Sequence, residues 1–233
     1  MLLRQLFDYE TYTYTYLIAE EANNYAALID PVIDQMQTYT RLLNELNLNL
    51  VLALDTHVHA DHITALGALR EQTKCNTYLG LKGEVNCADS YLYDGQIIKL
   101  GDIDINVIYT PGHTDNSFCF HIKDNSNNYL FTGDTLLLRG CGRTDFQNGN
   151  SSDLYNSLHD KLMKFSDRTI VLPGHDYKGW TQSTISEEKL YNPRLQIHPV
   201  TKFAEFMSNL KLANPKFMDV AVPANLSCGK AKE

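Results

Sequence analysis

Three histidines and a carboxylate fall within six residues in His57-Val58-His59-Ala60-Asp61-His62. Neutral imidazole is the commonest side-chain metal ligand, and a loop can turn several imidazoles toward one point where a helix would spread them. Chance or core packing accounts for one histidine; three beside an aspartate read as a metal-binding loop. Three further segments set a ligand-type side chain next to glycine: Pro111-Gly112-His113-Thr114, Gly133-Asp134-Thr135 and Pro173-Gly174-His175-Asp176. Glycine permits the tight turns that aim such side chains inward. Loops at strand ends are where binding and catalytic groups concentrate. His57, His59, Asp61, His62, His113, Asp134 and His175 are therefore candidates for one cleft that holds metal through nitrogen and oxygen. Residue types alone allow one metal or two.

Each of these segments follows a strand-like run. Strict alternation of Thr and Tyr over residues 11–16 predicts an opening strand with Tyr12, Tyr14 and Tyr16 on one face. Residues 26–29 continue the sheet up to Asp30-Pro31, and Met36, Tyr39, Leu42, Leu43 and Leu46 then fall on one helical stripe. Residues 48–54 are almost continuously apolar, as in a strand buried on both faces. They end at the histidine loop, and residues 63–72 read as a helix. Residues 96–100 and 103–109 flank Gly101-Asp102 as a hairpin, and 118–122 pair with 129–132. A helix over 153–164 is led by Ser152, and 169–172 form a strand. Thr184 with Glu187 makes a capping box, and Pro199 opens a further helix through Phe203, Phe206, Met207 and Leu210. Hairpins mixed with strand–helix units favour two sheets covered by helices over one doubly wound sheet. The end of the chain, 229–233, reads as a frayed tail.

The 233 residues carry 20 Lys and Arg against 28 Asp and Glu, a net charge of −8. That balance excludes a nucleic-acid-binding face built on basic charge. With 43% hydrophobic and 21% charged residues, the chain has the make-up of an ordinary globular protein. Its longest apolar run, 50–54, is strand-sized, far below the roughly 18–20 residues that span a bilayer. Asp8 and Glu10 interrupt the N-terminus before a signal-peptide core forms, so a cytoplasmic protein without membrane contact is expected. The five cysteines, Cys75, Cys87, Cys119, Cys141 and Cys228, are odd in number and lack Cys-x-x-Cys spacing. They are expected to be reduced thiols, with Cys141 structural.

The order His-x-His-x-Asp-His, a later histidine, an aspartate after a strand and a final histidine resembles the signature of the metallo-β-lactamase superfamily. The likeness covers residues 10–180. It implies an α+β fold, the four-layer αββα sandwich, with its metal centre at one edge of the two sheets. A single domain over 1–233 is expected, with its core at 10–180 and a short helical C-terminal extension at 181–228. The stretch from Gly133 through Arg139-Gly140-Cys141-Gly142-Arg143-Thr144-Asp145-Phe146 to Gln147 is similar to that of persulfide dioxygenases of the ethylmalonic-encephalopathy-protein type. So are His175-Asp176-Tyr177, Asn192-Pro193-Arg194 and Ala221-Val222-Pro223-Ala224-Asn225. This resemblance implies oxidation of glutathione persulfide by dioxygen to sulfite and glutathione, at one non-haem Fe(II) per chain.

Carried over residue by residue, the resemblance implies His57, His113 and Asp134 as iron ligands. Two histidines and one carboxylate leave open positions, as non-haem iron oxygenases require. His59, Asp61, His62 and His175 are implied either as groups that orient the ligands or as ligands of a second metal. The second case is that of the related glyoxalase II hydrolases, so a dinuclear hydroxyacylglutathione hydrolase is the alternative function. The Cys141-to-Gln147 segment speaks against it, as do the 58 residues after His175, few for the helical substrate domain of those hydrolases. Arg194, Tyr177 and Asn225 match positions of the dioxygenases that contact glutathione. Arg143, paired with Asp145, is implied either to shape its loop or to touch substrate. Related enzymes are often dimeric or fused to a sulfurtransferase domain, so a homodimer, and a rhodanese-type partner as a separate chain, are the expected associations.

Overall fold

A computed structural model describes residues 1–80, 87–125 and 127–229. Its first sheet opens with β1 (Leu2–Asp8) paired antiparallel to β2 (Thr13–Glu20). The alternating Thr/Tyr run forms the start of β2, where Tyr14 and Tyr16 are buried. Tyr12 departs from the predicted strand: it takes φ 61° in the connecting turn and is 46% exposed. β3 (Tyr25–Ile29) pairs antiparallel with β2. The chain then crosses through α1 (Met36–Glu45) to β4 (Asn49–Leu54), which lies parallel to β3. Parallel neighbours need such crossovers, and α2 (Leu66–Thr73) supplies the next, to β5 (Asn76–Gly80). β6 (Ser90–Leu92) completes the order β1-β2-β3-β4-β5-β6.

The stripe predicted on α1 buries Tyr39 and Leu43, which cluster with Leu17, Leu28, Leu66 and Leu69. α2 starts three residues later than its pattern predicts. Residues 63–65 are bound instead to the segment after β3: Ile33 N–H donates to the Ile63 carbonyl and Ala65 N–H to that of Pro31.

The second sheet has the order β12-β11-β10-β9-β8-β7. It contains β7 (Ile97–Leu100) and β8 (Ile103–Tyr109) on either side of Gly101, then β9 (Phe118–Asp124) and β10 (Asn127–Gly133), antiparallel with Phe120 opposite Phe131. After α3 (Ser151–Asn156), β11 (Ile170–Pro173) joins β10 in parallel and β12 (Ser183–Thr184) ends the sheet. The cap of α3 is Asn150 rather than Ser152. Asn150 has the extended backbone a cap needs, and its side chain accepts the N–H groups of Ser152 and Asp153. Beyond Asn156 the helix widens over Ser157–Lys161 and tightens over Leu162–Lys164, so the predicted single helix runs in three windings. α4 (Ile185–Tyr191) begins at Thr184, whose hydroxyl accepts the Glu187 N–H. The Glu187 carboxylate binds Arg139 and leaves the capping box half made. α5 (Val200–Ser208) follows Pro199, and α6 (Met218–Asn225) lies near the end of the described chain.

Two compact units are distinguished: residues 1–92, 97–105 and 214–233 in the first, and 93–96 and 106–213 in the second. The second has its own core of Cys119, Leu130, Leu158, Val171, Phe203 and neighbours. The expectation of five free thiols is corrected. Cys87 and Cys228 form a disulfide with Cα atoms 5.6 Å apart, a pairing across 141 residues that no local spacing announces. Cys75, Cys119 and Cys141 stand outside any disulfide. Of the tail expected to fray, Gly229 packs closely, and 230–233 lie outside the described residues. Among the described residues no helix is long and apolar enough to cross a membrane.

Candidate metal centre

In the first unit, β4 delivers the chain into the loop that carries His57, His59, Asp61 and His62. The three histidines are buried. Each imidazole is anchored through one nitrogen. His57 Nδ1 lies 3.0 Å from the Thr56 hydroxyl, which itself donates to Asp30 Oδ2 at 3.0 Å. His57 is thereby the donor to Thr56, and its Nε2 is the nitrogen that would bind a metal. His59 Nε2 lies 3.2 Å from Asp30 Oδ1, and its buried Nδ1 has no hydrogen-bond partner. His62 Nδ1 lies 2.8 Å from Asp61 Oδ2, and Thr13 of β2 donates to the same oxygen at 3.2 Å. Donor atoms of His59, Asp61 and His62 all fall within 4.8 Å of one another.

Asp30 organises this loop, a role its sequence position as a strand terminator did not reveal. It adopts φ 53°, in the left-handed region that aspartate tolerates better than most residues. Its carboxylate accepts from Thr56 N–H at 2.7 Å as well as from Thr56 Oγ1 and His59. Asp30, the wholly buried Asp55 and His59 form a second acidic cluster in this unit. Burial pushes the Asp55 carboxyl up to about 7. Burial acts to lower the His59 pKa, but Asp30, Asp55 and Asp61 together outweigh it and raise the group to about 9.

In the second unit, His113 lies in the loop between β8 and β9, and Asp134 directly follows β10. His113 Nδ1 donates to the Arg143 carbonyl at 2.8 Å, which leaves Nε2 as its ligand nitrogen. That Nε2 lies 3.7 Å from Asp134 Oδ2, close enough for one cation to take both atoms. His175, after β11, donates from Nδ1 to Asp134 Oδ1 at 2.7 Å. Two glycines make room for this arrangement. A Cβ on Gly142 would stand 2.4 Å from the Asp134 carbonyl and 2.7 Å from His113 Nδ1; one on Gly174 would stand 2.8 Å from Asp134 Oδ1. The Gly-Cys-Gly run contained this signal, but which glycine faces the site is visible only in three dimensions.

The remaining predicted residues separate into engaged and available groups. Arg143 holds Asp145 through two nitrogens at 2.6 Å each and donates to the carbonyls of Ala213 and Leu212. It also lies over Phe146, so its geometry is that of a loop clamp. Asn225 is 1% exposed with its amide bound on three sides, which leaves no face for substrate. Arg194 rests 4.2 Å above the Phe206 ring and makes no ion pair among the described residues. Tyr177 is 67% exposed and stacks on His175. The Cys141 thiol is pushed up to about 12 by burial and stays protonated at neutral pH.

The profile of the metallo-beta-lactamase superfamily matches residues 8–175. The chain is 42% identical over 230 residues to persulfide dioxygenase ETHE1, mitochondrial, from Bos taurus, covering 98% of this chain and 89% of that protein. The chain belongs to the persulfide dioxygenase family of this superfamily. A crystal structure of ETHE1 from Myxococcus xanthus superposes with a TM-score of 0.94 at 49% identity, covering 99% of this chain and 100% of that one. The α+β fold expected from the sequence, two mixed sheets with flanking helices, is thus the fold observed. Likeness to hydrolases is weaker: a probable hydroxyacylglutathione hydrolase of Schizosaccharomyces pombe is 32% identical over 166 residues, 70% of this chain and 64% of that protein. His/Asp groups able to hold a metal accompany the family fold here.

Proposed function

We propose that this protein oxidises glutathione persulfide with dioxygen to sulfite and glutathione at one iron(II), with His57, His113 and Asp134 as ligands. The observation that carries this reading is the near-full-length likeness to persulfide dioxygenases. The donor chemistry fits: His57 and His113 are each anchored through Nδ1, which makes Nε2 the atom that would face a metal, and a carboxylate completes the set. Iron(II) held by these two imidazoles and one carboxylate would supply the dioxygen chemistry.

The chain's own residues do the positioning. His175 orients the Asp134 carboxylate, and Thr56 with Asp30 fixes the tautomer of His57. Arg194, a cation already ordered by Phe206, suits a glutathione carboxylate, which guanidinium binds through two parallel hydrogen bonds. Tyr177 offers an exposed ring and hydroxyl beside His175. With its thiol protonated, Cys141 is excluded as a nucleophile, and the reaction needs none.

The unpartnered Nδ1 of His59, inside the His59/Asp61/His62 group, favours a second reading: a dinuclear thioester hydrolase. One experiment separates the two. Metal content is measured on protein purified anaerobically, followed by oxygen uptake and sulfite release with glutathione persulfide, and by cleavage of S-lactoylglutathione. One iron per chain with stoichiometric oxygen uptake is expected; two metals with thioester cleavage and no oxygen uptake would overturn the dioxygenase reading.

A further inference from the structure

Asn225 closes α6 with its side chain inside the protein. Its Nδ2 donates to the carbonyls of His59 at 2.9 Å and His62 at 2.7 Å, and its Oδ1 accepts the N–H of Thr64 at 2.8 Å. Both donor hydrogens and the acceptor are therefore spent on one stretch of backbone, 59–64. Buried backbone groups require partners, and a loop has no ladder to supply them. Here a single side chain provides three.

The residues just beyond Asn225 tie the same region down. The Cys228 carbonyl accepts the Gly67 N–H at 3.0 Å, and the Cys228 sulfur is bonded to Cys87. Gly229, at φ +82°, approaches so closely that a Cβ there would lie 2.0 Å from the Thr64 carbonyl oxygen. The end of α6 is thus fixed to the histidine loop by side chain, main chain and disulfide together.

We propose that Asn225 is a positioning residue for the metal loop. It sets the backbone at His59 and His62, and through it the directions taken by the imidazoles of 57–62; the Cys87–Cys228 disulfide holds its helix end in register. The proposal rests on the reading that this loop binds metal and is independent of the reaction performed. Ligands must be held to within about 0.5 Å of their productive geometry. Loss of a group that orients them typically weakens metal binding about 10–100-fold.

Asn225→Asp keeps the side chain's size and its acceptor and turns a carboxylate oxygen, in place of N–H, toward two carbonyls. Dissociation constants for Zn(II), and for Fe(II) under anaerobic conditions, are measured on the whole chain by chelator competition. Retention of the near-ultraviolet circular dichroism spectrum certifies folding. Affinity is expected to fall at least tenfold, with kcat for persulfide lowered and KM unchanged. Affinity within twofold of the parent overturns the proposal. So does a raised KM with metal affinity and kcat unchanged, which would return Asn225 to substrate contact. Asn225→Ala is used if the first variant does not fold. If neither folds even with metal present, Asn225 serves the whole fold and the proposal fails. A chain whose metal affinity depends on Asn225 but which takes up no oxygen with persulfide loses the dioxygenase reading and keeps this assignment.

Discussion

His175 donates its Nδ1–H to Oδ1 of Asp134 across 2.7 Å, although 41 residues of sequence separate them. The bond occupies one carboxylate oxygen and leaves the other 3.7 Å from His113 Nε2. With the proposed ligand set, His175→Ala should weaken metal binding by about 10–100-fold while the fold persists, because the change would release the carboxylate rather than remove a ligand. Chelator competition on the folded variant measures this; an unchanged dissociation constant would show that Asp134 needs no orienting partner.

Gly142 packs against both His113 and Asp134. A methyl group there would meet the Asp134 carbonyl at 2.4 Å, and backbone cannot retreat as a flexible side chain can. Gly142→Ala should cost about 1–3 kcal/mol of stability and displace His113 and Asp134 together. Urea denaturation and metal content should fall in parallel; a stable variant with full metal occupancy would contradict the geometry.

The metal-free protein should lose stability as pH rises from about 6.5 to 9. Asp30, with Asp55 and Asp61, raises the His59 pKa against the effect of burial, to about 9, while the unfolded histidine titrates near 6.5. The stabilisation is complete below about 6.5 and disappears as pH passes through 9. Asp55, raised by burial to about 7, adds a decline at lower pH, because between about 4 and 7 the folded state holds a proton the unfolded state has lost. Denaturant midpoints across this range read the slope, and His59→Gln should flatten its alkaline limb. A midpoint that rises from pH 6.5 to 9 would refute the Asp30–His59 pairing.

Arg194→Ala should raise KM for glutathione persulfide at least tenfold with kcat within about twofold. The guanidinium is set by Phe206 and used in no ion pair among the described residues, so its removal takes away binding shared by ground and transition states. Steady-state oxygen uptake checks this; an unchanged KM would remove Arg194 from the substrate site.

Legibility in the sequence followed how local the physics was. The histidine loop, the Asp30-Pro31 stop, the 118–122/129–132 hairpin and the α1 stripe rest on neighbours in sequence, and the structure forms each of them. β1 carries no local signal, because Leu-Leu-Arg-Gln-Leu-Phe-Asp has no clean period of two; antiparallel pairing to β2 fixes it. Asn150 and Ser152 are equally good cap types in sequence, and backbone angle decides between them. The disulfide, the part played by Asp30 and the inward turn of Asn225 depend on partners 26 to 166 residues away, which no local pattern encodes.

The order of synthesis gives the Asn225 contacts a further meaning. The ribosome delivers His62 163 residues before the amide that fixes its carbonyl, a delay of roughly 10–30 s at about 5–20 residues per second. Throughout that interval a nascent chain displays an imidazole-rich loop that lacks its last fastener. On the assignment proposed for Asn225, a nascent or truncated chain that lacks it would hold metal less tightly than the whole chain.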